Sequence, residues 1–218
     1  MAAGEGTRLR PLTERWPKPV LPIDGRPVVV TLVHELAAAG CGTITVVTGY
    51  LGEQVEALLA PLPYELRFVT QPERLGSADA VARARATPPY VVTAADTRFA
   101  EGDLGRFAAE AQGLDGAIAV RRQPGRPAET QVEVDGGLVV RLKSADSAEG
   151  WTGAPLWYLG PAVARQLEPL PGRAPHELAD VFQLAVDAGT AVSAIQIGRT
   201  RDLTTPADLV RENFDYLR

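Results

Sequence analysis

A chain of 218 residues is long enough for one large domain or two small ones, and its 45% apolar content can fill a substantial core. The net charge of −5 argues against a general nucleic-acid binder. No run of eighteen apolar residues and no signal peptide stand in it, so neither a membrane span nor export is expected. The lone cysteine, Cys41, cannot close an internal disulfide, which makes a reducing, cytoplasmic setting the expectation.

The chain opens on a small-residue, glycine-rich turn, Ala2-Ala3-Gly4-Glu5-Gly6-Thr7, followed by Arg8, Arg10, Arg15 and Lys18 and by prolines at Pro17, Pro19 and Pro22. Glycine tolerates positive φ, so such a loop can turn several backbone N–H groups toward one point. A nest of N–H groups binds anions, phosphates above all. The prolines predict a stiff, extended segment carrying Lys18. Residues 1 to 26 hold five basic side chains against three acidic ones, a local charge of +2, while the remainder is −7. An anionic ligand is therefore drawn to this loop. Only two of the 22 basic residues are lysine, Lys18 and Lys143. A compact ammonium does what a broad guanidinium fork does not. The spacing excludes a P-loop, which ends Gly-Lys-Ser/Thr. It also excludes a dinucleotide fingerprint, whose third glycine is Leu9 here and whose acid after the next strand is missing at Thr48-Gly49-Tyr50. The loop reads as a triphosphate cradle with its own lysine.

Next comes an apolar run with helical spacing, Pro27 to Ala39, stopped by Gly40. A β-branched strand follows at Thr43 to Thr48, a helix at Leu51 to Ala60, and a strand from Tyr64 to Thr70 leading to Gln71. Gly76 to Ala86 reads as a helix, Tyr90 to Ala95 as a strand ending at Asp96, Leu104 to Gln112 as a helix and Ala117 to Arg121 as a strand. This alternation predicts an α/β fold with a doubly wound, mostly parallel but mixed central sheet, Rossmann-like in layout. A hairpin then follows, Thr130 to Val134 and Leu138 to Leu142 around Asp135-Gly136-Gly137. A strand at Leu156 to Leu159, helices at Ala162 to Leu167 and His176 to Ala188, a strand at Ala191 to Ile197 and a helix at Pro206 to Leu217 complete the chain. With no linker or repeat, residues 1–218 read as one domain with halves 1–121 and 122–218, the second adding mixed strands. Ligands of such sheets lie at the carboxyl ends of strands, where Gly4–Lys18, Gln71 and Asp96 fall.

The loop resembles the signature of sugar nucleotidyltransferases (nucleotidyl-diphospho-sugar pyrophosphorylases), G-x-G-T-R-x-x-P-x-T followed by P-K-P-x-x-P. Here it is carried by Gly4, Gly6, Thr7, Arg8, Pro11, Thr13, Pro17-Lys18-Pro19 and Pro22. The resemblance implies a nucleotidyltransferase fold and extends along nearly the whole chain. Gln71 to Ala78 is similar to the family's Q-x4-G-T-A segment, implying that Gln71, Gly76 and Ser77 join Ala3, Gly4, Gly6 and Thr7 in holding the nucleotide. Ser77 replaces the usual threonine. An amide matches part of the imide edge of uracil or thymine, so UTP or dTTP is favoured. Asp96, after Ala95 where glycine is usual, resembles the strand-end aspartate that binds Mg²⁺. Asp202, in a G-x-x-x-D-x-x-T-P element ending at Pro206, is similar to the second metal ligand. Two carboxylates suit Mg²⁺, which fills its octahedron with phosphates and water. Lys143, Gly153 and Glu177 match the sugar-phosphate positions, although Leu142 and Ser144 stand where glutamate and proline are usual. His34 and His176 match no catalytic position and read as structural.

The resemblance implies that a sugar 1-phosphate attacks the α-phosphorus of an NTP and releases pyrophosphate, with Arg8 and Lys18 as the catalytic cations. No general base is needed, since the attacking phosphate has its second pKa near 6. The alternatives are an inert homologue that senses nucleotide sugars, and a guanylyl- or cytidylyltransferase acting on another phosphate. The family's loop follows a buried first strand of which only Met1-Ala2-Ala3 stands here, so a reading frame starting upstream is expected.

Overall fold

A computed structural model describes residues 1–122, 130–143 and 150–214. The chain divides into two compact units, Met1–Arg74 with Ala94–Phe99 and Thr200–Arg218, and Leu75–Thr93 with Ala100–Arg199.

In the first unit the N-terminal loop winds as three 3-10 turns, Thr7–Leu9, Leu12–Glu14 and Lys18–Val20. Lys18 thus starts a tight turn instead of lying on an extended segment. The extended residue is Pro17, with φ −64° and ψ 144°. Pro19 is tolerated inside the turn because first-turn N–H groups have no intrahelical acceptor to lose. Strands β1 (Pro22–Ile23) and β2 (Arg26–Pro27) form a two-residue hairpin. Its turn residues, Asp24 and Gly25, sit at φ 54° and 70°, the double positive φ of a type I′ turn.

Helix α1 (Val28–Ala38), strand β3 (Thr43–Thr48), helix α2 (Gly52–Leu59) and strand β4 (Glu65–Thr70) follow in order. β3 and β4 pair in parallel from Thr43↔Glu65 to Thr48↔Thr70. The helical faces bury Val29, Val33, Val55 and Leu59 on Ile44 and Val46, with Ala2 and Ala95 in the same cluster. Each fully buried side chain of this size contributes roughly 1.5–3 kcal/mol. Ala2 bridges Thr48 in parallel, its N–H donating to Val47 O at 2.7 Å, and Met1 O accepts from Ala95 N at 2.8 Å. Met1–Ala3 therefore runs along β3 in the position expected of a first strand and delivers the loop at its end. Gly49 makes this possible, since a β-carbon there would stand 2.9 Å from Ala3 O.

Strand β5 (Tyr90–Thr93) belongs to the second unit, and the chain then returns to the first unit for β6 (Thr97–Arg98). Around a six-stranded mixed sheet the second unit arranges, in chain order, α3 (Ser77–Ala84), α4 (Asp103–Glu110), β7 (Gly116–Arg122), β8 (Val132–Asp135), β9 (Leu138–Leu142), β10 (Trp151–Leu159), α5 (Pro161–Ala164), α6 (Leu178–Asp187) and β11 (Val192–Gln196). The strand order is β5-β10-β7-β11-β9-β8. β7 and β11 are parallel, whereas β10 runs antiparallel to both β5 and β7. β10 begins five residues earlier than its apolar run predicts, with a register shift between Gly153 and Trp157. β7 is buried without interruption from Gly116 to Val120, as a strand covered on both faces must be. The hairpin of β8 and β9 turns on Gly136 and Gly137, both at positive φ.

The first unit closes with β12 (Arg201–Asp202), antiparallel to β6 with Asp202 opposite Thr97, and α7 (Pro206–Arg211). The expected continuation of α7 to Leu217 lies partly outside the described residues. The fold is α/β with a mixed, Rossmann-like sheet. No described helix is long and apolar enough to cross a membrane.

Candidate active site

Nine of the expected site residues fall in the first unit, and the loop that carries most of them is shaped by Gly6. Gly6 takes φ 64° and ψ 39° and caps the Thr7–Leu9 turn, accepting from Leu9 N at 2.9 Å. The buried Thr13 hydroxyl donates to the same carbonyl at 3.0 Å. A β-carbon on Gly6 would lie 3.1 Å from Thr13 Cγ2 and 3.2 Å from Lys18 Cβ, so the loop folds back onto Lys18. Gly4 is exposed, and a methyl group there would meet nothing within 4 Å. Ala3 is buried, its carbonyl accepting from Tyr50 N at 3.4 Å.

Among the described residues, the N–H groups of Gly4, Glu5, Gly6, Thr7 and Arg8 donate to no acceptor, and the Arg8 guanidinium has no ion-pair partner. Glu5 accepts from both Arg10 and Arg74, so its charge is neutralised within the loop's own surroundings. The rim that remains is rich in donors and cationic, which suits an anion.

Lys18 turns inward. Its ammonium lies 2.6 Å from Asp96 Oδ2, with side-chain exposures of 14% and 29%. Asp96 Oδ1 accepts from the Thr97 hydroxyl at 3.4 Å, and the buried Met1 ammonium lies in the field of the Asp96 charge. Ala95, where glycine was the expected residue, places its methyl in the core and is 6% exposed. Asp202 is exposed and accepts from the Thr204 hydroxyl at 3.1 Å. The β6–β12 register sets it across from the neighbour of Asp96. Two residues more than a hundred positions apart thus reach one strand pair. Among the described residues no third His, Cys, Asp or Glu gathers with them. Two carboxylates with no further protein ligand fit Mg²⁺, which keeps water and phosphate in its remaining positions. Gln71 is buried, and its N–H donates to Thr48 O at 2.7 Å, so it is no solvated strand terminus.

One anchor of this region has no counterpart in the sequence reading. Arg201 donates to Asp24 Oδ2 and Oδ1 at 2.7 and 2.9 Å, to the Glu212 carboxylate, and to Glu212 O at 3.1 Å. Hydrogen bonding to Asp24, and then to Glu212, raises the pKa of Arg201 against the opposing pull of burial. Arg201 precedes Asp202 and ties β12 to the β1–β2 turn and to the end of α7. An arginine between Thr200 and Asp202 carries no local signal of such partners.

The other five expected residues lie in the second unit. Gly76 stands at φ 100°, and a β-carbon on it would fall 2.2 Å from His176 O. The contact that demands glycine is therefore protein backbone. His176 N–H donates to Leu75 O at 2.7 Å and His176 O accepts from Ala78 N at 2.8 Å. Ser77 Oγ donates to Glu177 Oε2 at 2.6 Å and accepts from Leu178 N at 2.8 Å. His176 Nδ1 bonds Pro171 O at 2.8 Å and His34 Nδ1 bonds Tyr64 Oη at 2.7 Å, which fits their structural reading. Lys143, at φ 54°, donates to Asp180 Oδ1 at 2.6 Å, so Lys143 and the segment after Glu177 meet. Gly153 faces Val132, whose Cγ2 a β-carbon would approach to 3.3 Å. Leu142 is buried, its N–H donating to Gln183 Oε1 at 2.8 Å, and Ser144 lies outside the described residues.

With this geometry in place, comparison with known proteins adds the following. The pattern of one family, described as the MobA-like NTP transferase domain, matches residues 1–188. A mannose-1-phosphate guanyltransferase of Schizosaccharomyces pombe is 30% identical over 237 aligned residues, spanning 100% of this chain and 63% of that protein. A 2-aminoethylphosphonate cytidylyltransferase of Lancefieldella rimae is 50% identical over 54 residues, 25% of this chain and 22% of its own length. The chain thus spans less than two thirds of these relatives. The structure titled UDP-glucose pyrophosphorylase from Acinetobacter baumanii superposes with a TM-score of 0.82 over 97% of this chain and 89% of that one, at 21% identity, a likeness of fold.

Proposed function

We propose a reaction for this chain from one premise: it belongs to the MobA-like NTP transferase domain family. The chain joins an NTP and a sugar 1-phosphate, giving an NDP-sugar and pyrophosphate. A phosphate oxygen of the sugar phosphate forms a bond to the α-phosphorus, and the bond from the α-phosphorus to the bridging oxygen breaks. The electron pair leaves with pyrophosphate, and no proton need move, because the nucleophile is already anionic at neutral pH.

The observation that carries this reading is the set of five N–H groups from Gly4 to Arg8, beside the Arg8 guanidinium, that are uncommitted among the described residues. They suit the departing β- and γ-phosphates, where charge develops. Lys18 would stabilise the α-phosphate, moving from its partner Asp96. Mg²⁺ held by Asp96 and Asp202 would neutralise phosphate charge when bound. Gln71, with the backbone at Gly76 and Ser77, would read the base, for which UTP or dTTP is favoured. Lys143, Gly153 and Glu177 would hold the sugar phosphate. Residues 1–218 act on this reading as one nucleotidyltransferase domain, in the cytoplasm, without nucleic acid or membrane as partner.

A second reading is favoured by the short Lancefieldella match: cytidylyl transfer to another phosphate or phosphonate. Pyrophosphate release measured for each of the common NTPs against glucose, mannose and N-acetylglucosamine 1-phosphates and 2-aminoethylphosphonate separates the two. Release with UTP or dTTP and a hexose phosphate is expected. Release confined to CTP supports the second reading, and none with any pair overturns both.

A further inference from the structure

Ser77 stands at the first position of α3, where a serine hydroxyl ordinarily bonds its own helix or faces solvent. Here it serves another helix. Its oxygen accepts the N–H of Leu178, the first residue of α6, at 2.8 Å, and Glu177, the residue preceding α6, makes no side-chain cap of its own. Its proton goes to Glu177 Oε2 at 2.6 Å. The hydroxyl is therefore held in a fixed direction, donor to a carboxylate and acceptor from a helix terminus. On either side the two segments are laced by backbone, His176 N to Leu75 O and Ala78 N to His176 O. Gly76 lets this happen, because only a residue without a β-carbon admits His176 O so closely. Four hydrogen bonds between residues 75–78 and 176–178 make the two segments one block.

We infer that Ser77 is a positioning residue for Glu177: its hydroxyl fixes the carboxylate that holds the sugar. This rests on the reaction proposed above. Ser77 holds Oε2, and Oε1, which meets no partner among the described residues, can take a sugar hydroxyl. A hydrogen bond to a carboxylate is stronger than a neutral one and narrows the rotamers the side chain samples. Ser77 thus acts on the sugar side although its sequence neighbours belong to the nucleotide side.

The test compares Ser77→Ala, Ser77→Thr and Glu177→Gln with the wild type. Alanine removes both bonds, whereas threonine keeps the hydroxyl. Ser77→Ala should raise KM for the sugar phosphate about tenfold, the scale of one hydrogen bond to a charged group, and shift kcat and KM for NTP far less. Ser77→Thr should restore the sugar KM. Ser77→Ala placed on Glu177→Gln should add little, since both act through one carboxylate. A Ser77→Ala enzyme whose NTP KM moves and whose sugar KM does not would overturn the inference and return Ser77 to the nucleotide. If the wild type turns over no substrate pair, calorimetric titration with glucose 1-phosphate, mannose 1-phosphate and N-acetylglucosamine 1-phosphate decides. Weaker binding in Ser77→Ala, recovered in Ser77→Thr, upholds the positioning role while the reaction fails. Equal binding in all three, or none in the wild type, overturns the positioning role as well.

Discussion

Lys18 Nζ lies 2.6 Å from Asp96 Oδ2. One residue comes from a proline-flanked 3-10 turn and the other from the turn between β5 and β6, 78 positions later, yet they form an ion pair mostly shielded from water. Such a pair keeps a cation and an anion ready where phosphate charge and a counter-ion would exchange with them. A buried charge left alone would be costly, so each partner holds the other in place.

Replacing Lys18 by arginine should therefore be severe. The lysine stem is packed against the Gly6 backbone, with Lys18 Cβ 3.2 Å from where a β-carbon on Gly6 would be. A guanidinium is wider and cannot put its charge on the same point. A loss of at least about tenfold in kcat is expected, roughly 1.4 kcal/mol of barrier. Near-wild-type turnover in Lys18→Arg would remove Lys18 from the catalytic set.

Glycines of the candidate site should separate into two kinds. Gly4→Ala meets open space and should leave Tm unchanged, a surface substitution of within about 0.5 kcal/mol. Gly76→Ala drives a methyl into His176 backbone at φ 100° and should cost more than about 3 kcal/mol, the range of overpacking and backbone strain. Thermal melts of the two variants check this, and equal Tm values would contradict the geometry.

What was legible in the sequence was what is periodic or local. The β-branched run of β3, the alanine-rich α3 and the glycine pair of the β8–β9 hairpin were all readable, because the side chains that form them are neighbours in the chain. Asp24-Gly25 is a hairpin signal of the same kind, overshadowed by the apolar run that starts at Pro27. The site was legible where a motif is contiguous, as from Gly4 to Lys18. It was not legible where a residue works on a distant one. Nothing adjacent to Arg201 announces Asp24, and nothing around Ser77 announces Glu177, 100 residues away. Gly76 shows the same limit from the other side. Its need for glycine was readable, but the His176 backbone that imposes the need was not.

Arg201→Ala should loosen the strand that carries Asp202. It removes the guanidinium from the Asp24 and Glu212 carboxylates, and losing hydrogen bonds to charged groups at a partly buried site costs about 1–3 kcal/mol. A fall in Tm together with a raised Mg²⁺ requirement is expected. A lower Tm with the Mg²⁺ dependence of the wild type would limit Arg201 to stability.

Asp208 supplies a pH dependence with a definite sign. Burial works to raise its pKa, but the N–H and hydroxyl of Thr205, the N–H of Thr204 and the charge of Arg211 prevail and hold it below the ordinary value of 3.8. A depressed carboxylate stabilises the fold fully above its unfolded value and ceases to do so as pH falls through its folded value. Asp208→Ala should therefore lower Tm at pH 6, by the roughly 1 kcal/mol of a helix cap. That gap should close as the pH drops below 3.8. A gap that stays constant from pH 6 to pH 2.5 would show that the cap's contribution does not depend on charge.

The last prediction concerns the metal. Asp96 immediately precedes β6, and Asp202 lies on β12 opposite Thr97. If both hold one Mg²⁺, removing either should cripple the same step. Asparagine keeps the shape and removes the charge, so Asp96→Asn and Asp202→Asn should each lower kcat by about 10²–10³, the scale of one lost electrostatic stabiliser. The double variant should lose far less than the product of the two, because residues acting as a unit are not additive. NTP binding without metal should survive in all three, since the Gly4–Arg8 N–H groups and Gln71 lie outside the pair. Asp96→Asn should in addition free Lys18 from its ion pair, so its nucleotide affinity should equal or exceed that of Asp202→Asn. The cycle is run at saturating Mg²⁺, with nucleotide affinity titrated separately in chelator. Losses that multiply independently, or intact turnover in Asp202→Asn, would mean that the two carboxylates share no ion and that Asp202 serves only the turn before α7.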